Sequence, residues 1–349
     1  MEKRRILWID ALNIFACAGV LLLHCTNAEI HSFKGIATFN WGLGVFTHSF
    51  FIWPVDVFFM LSGYTLIKTS VTEPGGIGKF FRRRLQRLLI PVLGWNILNM
   101  LMDIVGKWRY GFVFDSVPTV LEKFFSFQYN SFMWFFVPLI CLYLTIPFLS
   151  IFVLNARRET LRFYLLLSLV LYGLASLHSV HSVPRVRPLV TDVYLFGTQY
   201  LPFAVAGYYF GHFELSRTTR KRLYTVAWIC IPIMVIGMSA MFFLLPERHG
   251  FFNGYTNIPC TIVAYALFVY FKYTDWKKAI APLKLTPRSL AVMSSLSLGI
   301  YLVQHLGFKI VAHFSFIYNN MILTFIVMYI GCTIAVWLMK KVPFVNRLI

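Results

Sequence analysis

The feature that most constrains this 349-residue chain is a repeating alternation: apolar runs close to 20 residues long, separated by connections of which every second one is strongly basic. About 20 apolar residues is the length a helix needs to cross a ~30 Å hydrocarbon core at ~1.5 Å per residue. Inside lipid every backbone N–H and C=O must find its partner within the protein, which leaves helices as the available form for such runs. Ten runs are present: Ile6 to Ala28, Val45 to Lys68, Leu88 to Lys107, Phe132 to Leu154, Arg162 to Leu177, Val193 to Phe213, Leu223 to Leu245, Ile258 to Tyr273, Leu290 to Ala312 and Asn319 to Met339. The predicted fold is therefore all-α, a polytopic membrane helix bundle of about ten transmembrane helices forming a single domain over residues 1–349.

The charge pattern supplies an independent check. Lys3, Arg4 and Arg5; Lys79, Arg82, Arg83, Arg84 and Arg87; Arg157, Arg158 and Arg162; Arg217, Arg220, Lys221 and Arg222; Lys272, Lys277, Lys278, Lys284 and Arg288; and Lys340, Lys341 and Arg347 fall on alternate connections. Basic residues stay on the cytoplasmic side of short loops, so both termini are predicted to be cytoplasmic. A net charge of +19 would otherwise invite a nucleic-acid reading. Nucleic-acid binders, however, gather their basic residues on a soluble face, whereas here they punctuate apolar spans, and no nucleic-acid partner is expected. With 58% hydrophobic and only 13% charged residues, no water-soluble globule can be built from this chain, and the bilayer is its expected surrounding. Asp10 interrupts the first run and argues against a cleaved signal peptide. Five of the six cysteines fall well inside the runs, Cys25 lies near the outer end of the first, and none has metal-ligand spacing, so neither disulfide nor metal chemistry is expected.

Polar side chains inside the apolar runs cost several kcal/mol and usually face a cavity or a partner. Asp10 sits near the cytoplasmic end of the first run, and His24 follows 14 residues later, about 21 Å along a helix axis, near the outer face. The second run descends from outside, with His48 at its outer end and Asp56 about two turns deeper. Asp56 is expected at a level where it orients the His24 imidazole, as a general base requires; the alternative is an interfacial histidine bonded to a backbone carbonyl. Between the second and third runs, "GKFFRRRLQRLLIP" concentrates Arg83, Arg84 and Arg87 at the inner surface. Those cations fit either a topology determinant drawn to anionic lipid or a clamp for phosphates, which guanidinium forks grip bidentately.

Four stretches, in order, resemble the acyltransferase 3 family of bacterial integral membrane acyltransferases: Ile9 to His24; "VDVFFMLSGYTL" from Val55 to Leu66; Phe81, Arg84 and Arg87 before Pro91; and "MWFFVPLICLYLTIPFL". "FAVAGYYFG" from Phe203 and "LGIYLVQH", which carries Tyr301, Gln304 and His305, are weaker echoes. The resemblance implies an acyl group, commonly acetyl, passing from cytoplasmic acetyl-coenzyme A, the acyl donor, to a hydroxyl of a cell-surface or lipid-linked glycan, at the bacterial cytoplasmic membrane. It implies His24 as general base or transient acyl acceptor with Asp56 beside it, Arg84 and Arg87 with Arg83 at the coenzyme phosphates, and Trp134 and Phe135 along the tunnel.

Two positions depart from the pattern. Relatives carry arginine 11 positions before the first-run histidine, where this chain has Asn13; that arginine would balance Asp10 or hold the donor. Where relatives often have histidine, this chain has Gln304 with His305 next to it, and neighbours on a helix point about 100° apart. Two functions stay open: an O-acetyltransferase, and a polysaccharide export protein on the same scaffold.

Overall fold

A computed structural model of the chain describes residues 6–31, 33–181, 198–244, 252 and 254–349, and all regular structure among them is helical. The first basic cluster, Lys3 to Arg5, lies outside the described residues, as does much of the connection before Tyr200. The twelve longer helices are α1 (Leu7–Cys25), α2 (Phe39–Phe50), α3 (Pro54–Leu66), α4 (Gly76–Tyr110), α5 (Val117–Phe125), α6 (Phe136–Asn155), α7 (Arg158–His181), α8 (Leu201–His212), α9 (Arg217–Leu244), α10 (Ile258–Tyr273), α11 (Pro287–Val311) and α12 (Met321–Met339). Each of the ten apolar runs contributes helix to this bundle.

Among the described residues, seven helical segments are long and apolar enough to cross a membrane. The shorter α8 and α10 are buried centrally, α8 burying eight of its 12 residues and α10 nine of its 16. Apolar residues all round a helix mark it as a core element, and one wrapped by longer neighbours does not have to span the bilayer alone. The second run is not one helix but two, α2 and α3. Pro54 has no N–H to offer the previous turn and takes the first position of a new helix instead. The third run is longer than expected, because the basic stretch continues the same helix from Gly76, giving 35 residues that end at Gly111 in a left-handed conformation. Side-chain caps set other starts: Asn257 accepts from Cys260 N at α10, Thr286 from Ser289 N at α11 and Asn320 from Leu323 N at α12.

Glycines determine how closely the inner helices approach. A Cβ at Gly63 on α3 would fall on the backbone of Ala204 on α8, and one at Gly207 on α8 would fall on the backbone of Met60. Gly211 likewise faces the ring of Tyr64. Small residues let helices in lipid pack backbone to backbone, where dispersion replaces the hydrophobic drive. The "LSGY" and "AVAGYYFG" stretches are thus two halves of one contact.

On the opposite side α1, α11 and α12 pack together. Asn13 and Cys17 of α1 meet Ser294 and Ser297 of α11 in ascending order, so those helices are parallel. Gly299 faces Val336 while Gly307 faces Met328, so α12 runs antiparallel to α11. The start of α1 and the end of α12 therefore share one end of the bundle. That end holds the basic connections, which marks it as cytoplasmic.

Candidate active site

Two cavities meet at the cytoplasmic half of the bundle. The first, about 360 Å³, opens where α3 ends and α4 begins, and its wall includes Lys68, Lys79, Arg83 and Arg84, with Glu73 as its one acid. The second, about 350 Å³, lies between α1, α3, α6 and α11 and is mainly apolar, with Asn13, Ser62, Tyr143, Ser294, Ser297 and Tyr301 as polar points in its wall. Thr65 lines both. A surface chamber rich in cations thus adjoins an interior chamber with no charged residue in its wall.

Arg84, about two helical turns into α4, lines the first cavity. Arg83 shares that wall, while Arg87 is exposed and lines neither cavity. Leu88, four residues after Arg84, continues the same face of α4 into the inner chamber. Lys68 and Lys79 extend the cationic wall.

Asn13 fills the position where the family pattern has arginine. Its Nδ2 lies 2.9 Å from Ser294 O, 3.0 Å from Ser294 Oγ and 3.2 Å from Ser297 Oγ, tying α1 to α11 at the chamber wall. Ser294, Ser297 and Tyr301 occur at i, i+3 and i+7, one stripe of α11 facing the cavity. Tyr301 was among the sequence candidates; the two serines one and two turns before it share its spacing but carry no charge to flag them. Asp10, one turn before Asn13, is buried with Oδ2 lacking a protein partner.

His24 stands in the last turn of α1, beyond the lining of the inner chamber. Its ring lies 4.0 Å, centroid to centroid, from Phe132, and the planes are 31° apart. His48 is near enough to interact with it electrostatically, and His48 Nδ1 is itself 2.9 Å from Thr26 Oγ1. His305 also meets the Phe132 ring edge-on, with centroids 5.7 Å apart, and the Tyr301 hydroxyl donates to the carbonyl of Phe132. Gln304 is buried with Nε2 unpartnered, and His305 Nε2 also lacks a partner. By helix rise, Gln304 is ~15 Å beyond Ser294, and His24 is ~16 Å beyond Asn13, so the two reach the same depth.

The expected hydrogen bond between Asp56 and His24 is not made. Asp56 is fully buried, but Cys260 Sγ on α10 donates to its Oδ2 at 3.3 Å, and Oδ1 is left without a protein partner. The cause is register. A Cβ at Gly19 would stand 2.9 Å from Pro54 Cγ, so the start of α3 is level with Gly19. His24 lies five residues further out, ~7.5 Å by helix rise, while Asp56 lies deeper than Pro54 and faces α10. The structure instead gathers His24, His48, Phe132, Tyr301 and His305. Phe135 lines the inner chamber; Trp134 does not, and stacks on Tyr255 at 5.1 Å.

A family model described as an acyltransferase domain matches residues 6–341, nearly the whole chain. No curated protein and no solved structure matches.

Proposed function

The chain belongs to the acyltransferase 3 family, and from that premise we propose that it transfers an acetyl or similarly short acyl group from cytoplasmic acyl-coenzyme A to a hydroxyl of a cell-surface or lipid-linked polysaccharide, in the bacterial cytoplasmic membrane. The observation that carries this reading is the pair of adjoining chambers that share Thr65. A cationic pocket beside an uncharged, mainly apolar one suits a donor with a polyanionic head and a neutral arm ending in a thioester.

In this reading Arg83 and Arg84 hold the coenzyme phosphates and the pantetheine arm passes Thr65 and Asn13 toward Tyr301. The acceptor hydroxyl arrives from the outer side, where His24 and His48 stand. His24 takes the hydroxyl proton as the sugar oxygen bonds to the acyl carbon; the C–S bond then breaks, and the imidazolium returns the proton to the departing thiolate. Holding both reactants on one line through the bundle is worth several kcal/mol of barrier in oriented reactions of this kind. Asn13 supplies a neutral amide where relatives have arginine, so the interior chamber handles the uncharged part of the donor. Asp56 does not touch His24 in this arrangement and supports the α3–α10 contact instead.

The test is transfer of radiolabel from acetyl-coenzyme A to surface glycan in membranes containing the chain. Wild type should label the glycan, His24→Ala should lose nearly all label, and Arg84→Ala should raise KM for the donor more than it lowers kcat. Glycan that stays unacetylated yet needs the chain for surface display would overturn the enzyme reading in favour of export.

A further inference from the structure

Residue 132 belongs to two neighbourhoods at once. Its carbonyl accepts from Tyr301, a wall residue of the interior chamber, whereas its ring covers a face of His24 at 4.0 Å and meets His305 and Phe308 at 5.7 and 5.8 Å. Neither His24 nor Phe132 is part of the chamber wall, whereas Phe135, three residues on, is, so Phe132 sits behind that wall against His24. The segment carrying Phe132, Ser131–Phe135, is a short 3-10 turn ahead of α6, and Asn130 Oδ1 accepts the Phe132 N–H at 3.0 Å. Such turns are frequent at α-helix N-termini and have poorer hydrogen-bond geometry than the α-helix they lead into. Phe132 is itself only half-buried, unlike Met133 beside it, which is locked in the core.

We propose that Phe132 is a specificity-determining residue that partitions the donor chamber from His24 and yields to a bound acceptor, so that a sugar hydroxyl, and not water, is the nucleophile the thioester meets. The proposal rests on the acyltransferase reading above. Without the partition, a water molecule at His24 gives its proton to the imidazole as its oxygen bonds to the acyl carbon. The C–S bond breaks, the thiolate recovers that proton, and the products are free coenzyme thiol and a carboxylic acid that ionises. Excluding water from a reactive intermediate is a recognised use of site closure.

The experiment uses the purified full-length chain with acetyl-coenzyme A and no glycan, reading free thiol released. Phe132→Ala should release thiol about tenfold faster than wild type, and Phe132→Leu by an intermediate factor. The rise should vanish when His24→Ala is added. A second readout is independent of turnover: carbethoxylation of His24 by diethyl pyrocarbonate, followed by mass spectrometry, should be about tenfold faster in either Phe132 variant. Labelling of His24 at the wild-type rate in a folded Phe132→Ala or Phe132→Leu protein overturns the partition. Faster labelling with no thiol release from any form upholds the partition and removes the coenzyme-donor reading instead.

Discussion

Gln304 is a buried amide whose Nε2 finds no acceptor, at the depth of His24. An unpaired buried donor costs on the order of 1–3 kcal/mol, so Gln304→Leu, similar in volume, is expected to leave the melting temperature of the detergent-solubilised protein unchanged or higher. If the amide serves the reaction, the same substitution lowers acyl transfer, and the two measurements together separate a packing role from a chemical one. Asp115 presents the opposite case, a carboxylate with too many partners to be idle. In the outer connection between α4 and α5, the Lys107 and Lys123 ammonium groups donate to its Oδ2 at 2.6 and 2.8 Å and hold its carboxyl below the ordinary 3.8. A carboxylate with a lowered folded pKa stabilises fully above its unfolded value and loses that contribution as pH falls through the folded one. Amide hydrogen exchange across residues 111–125, corrected for intrinsic rate, should therefore quicken as pH drops below about 4, while Asp115→Asn should show the quickened exchange already at neutral pH.

Between elements, the glycine contacts of α3 and α8 are the least forgiving. Gly63→Ala or Gly207→Ala places a methyl on the facing backbone and is expected to destabilise by several kcal/mol, read as loss of monodisperse protein on size exclusion. Gly331→Ala on α12, where a Cβ meets nothing within 4 Å, is the control and should be neutral or stabilising by about 0.5–1 kcal/mol. The elements also show what spacing along a sequence can tell. Residue intervals reported depth along one helix, since His24 does stand in the last turn of α1, but not the level of one helix against another. They did not report rotation or interruption. The pairing of Asp56 with His24 failed because Pro54 splits the second run and seats it on Gly19, which turns Asp56 toward Cys260. Phe132 went unread because nothing in the residue itself distinguishes it from the chain's other 35 phenylalanines; only the Tyr301 contact and the His24 ring single it out.

At the scale of the whole molecule, the alternation of apolar runs and basic connections was sufficient to find the helices and their order, since lipid leaves so few alternatives. The bundle places the start of α1, the end of α12 and the cationic chamber at one end, and His24 with His48 toward the other. Cysteine introduced at Ser70 should accordingly react with a membrane-impermeant maleimide only in inverted vesicles, and cysteine at Val113, which is 90% exposed, only in intact cells or spheroplasts; the reverse pattern would refute the orientation. The backbone contact of α3 with α8 carries one more consequence. Where Gly63 meets Ala204 and Gly207 meets Met60 backbone to backbone, the seam has no side chain to repack, so it tolerates neither slippage nor replacement of one half by a relative's. Recombination that aims to exchange acceptor preference should therefore cut through the connections flanking α11 and α12 and inherit α3, α8 and α10 from a single parent.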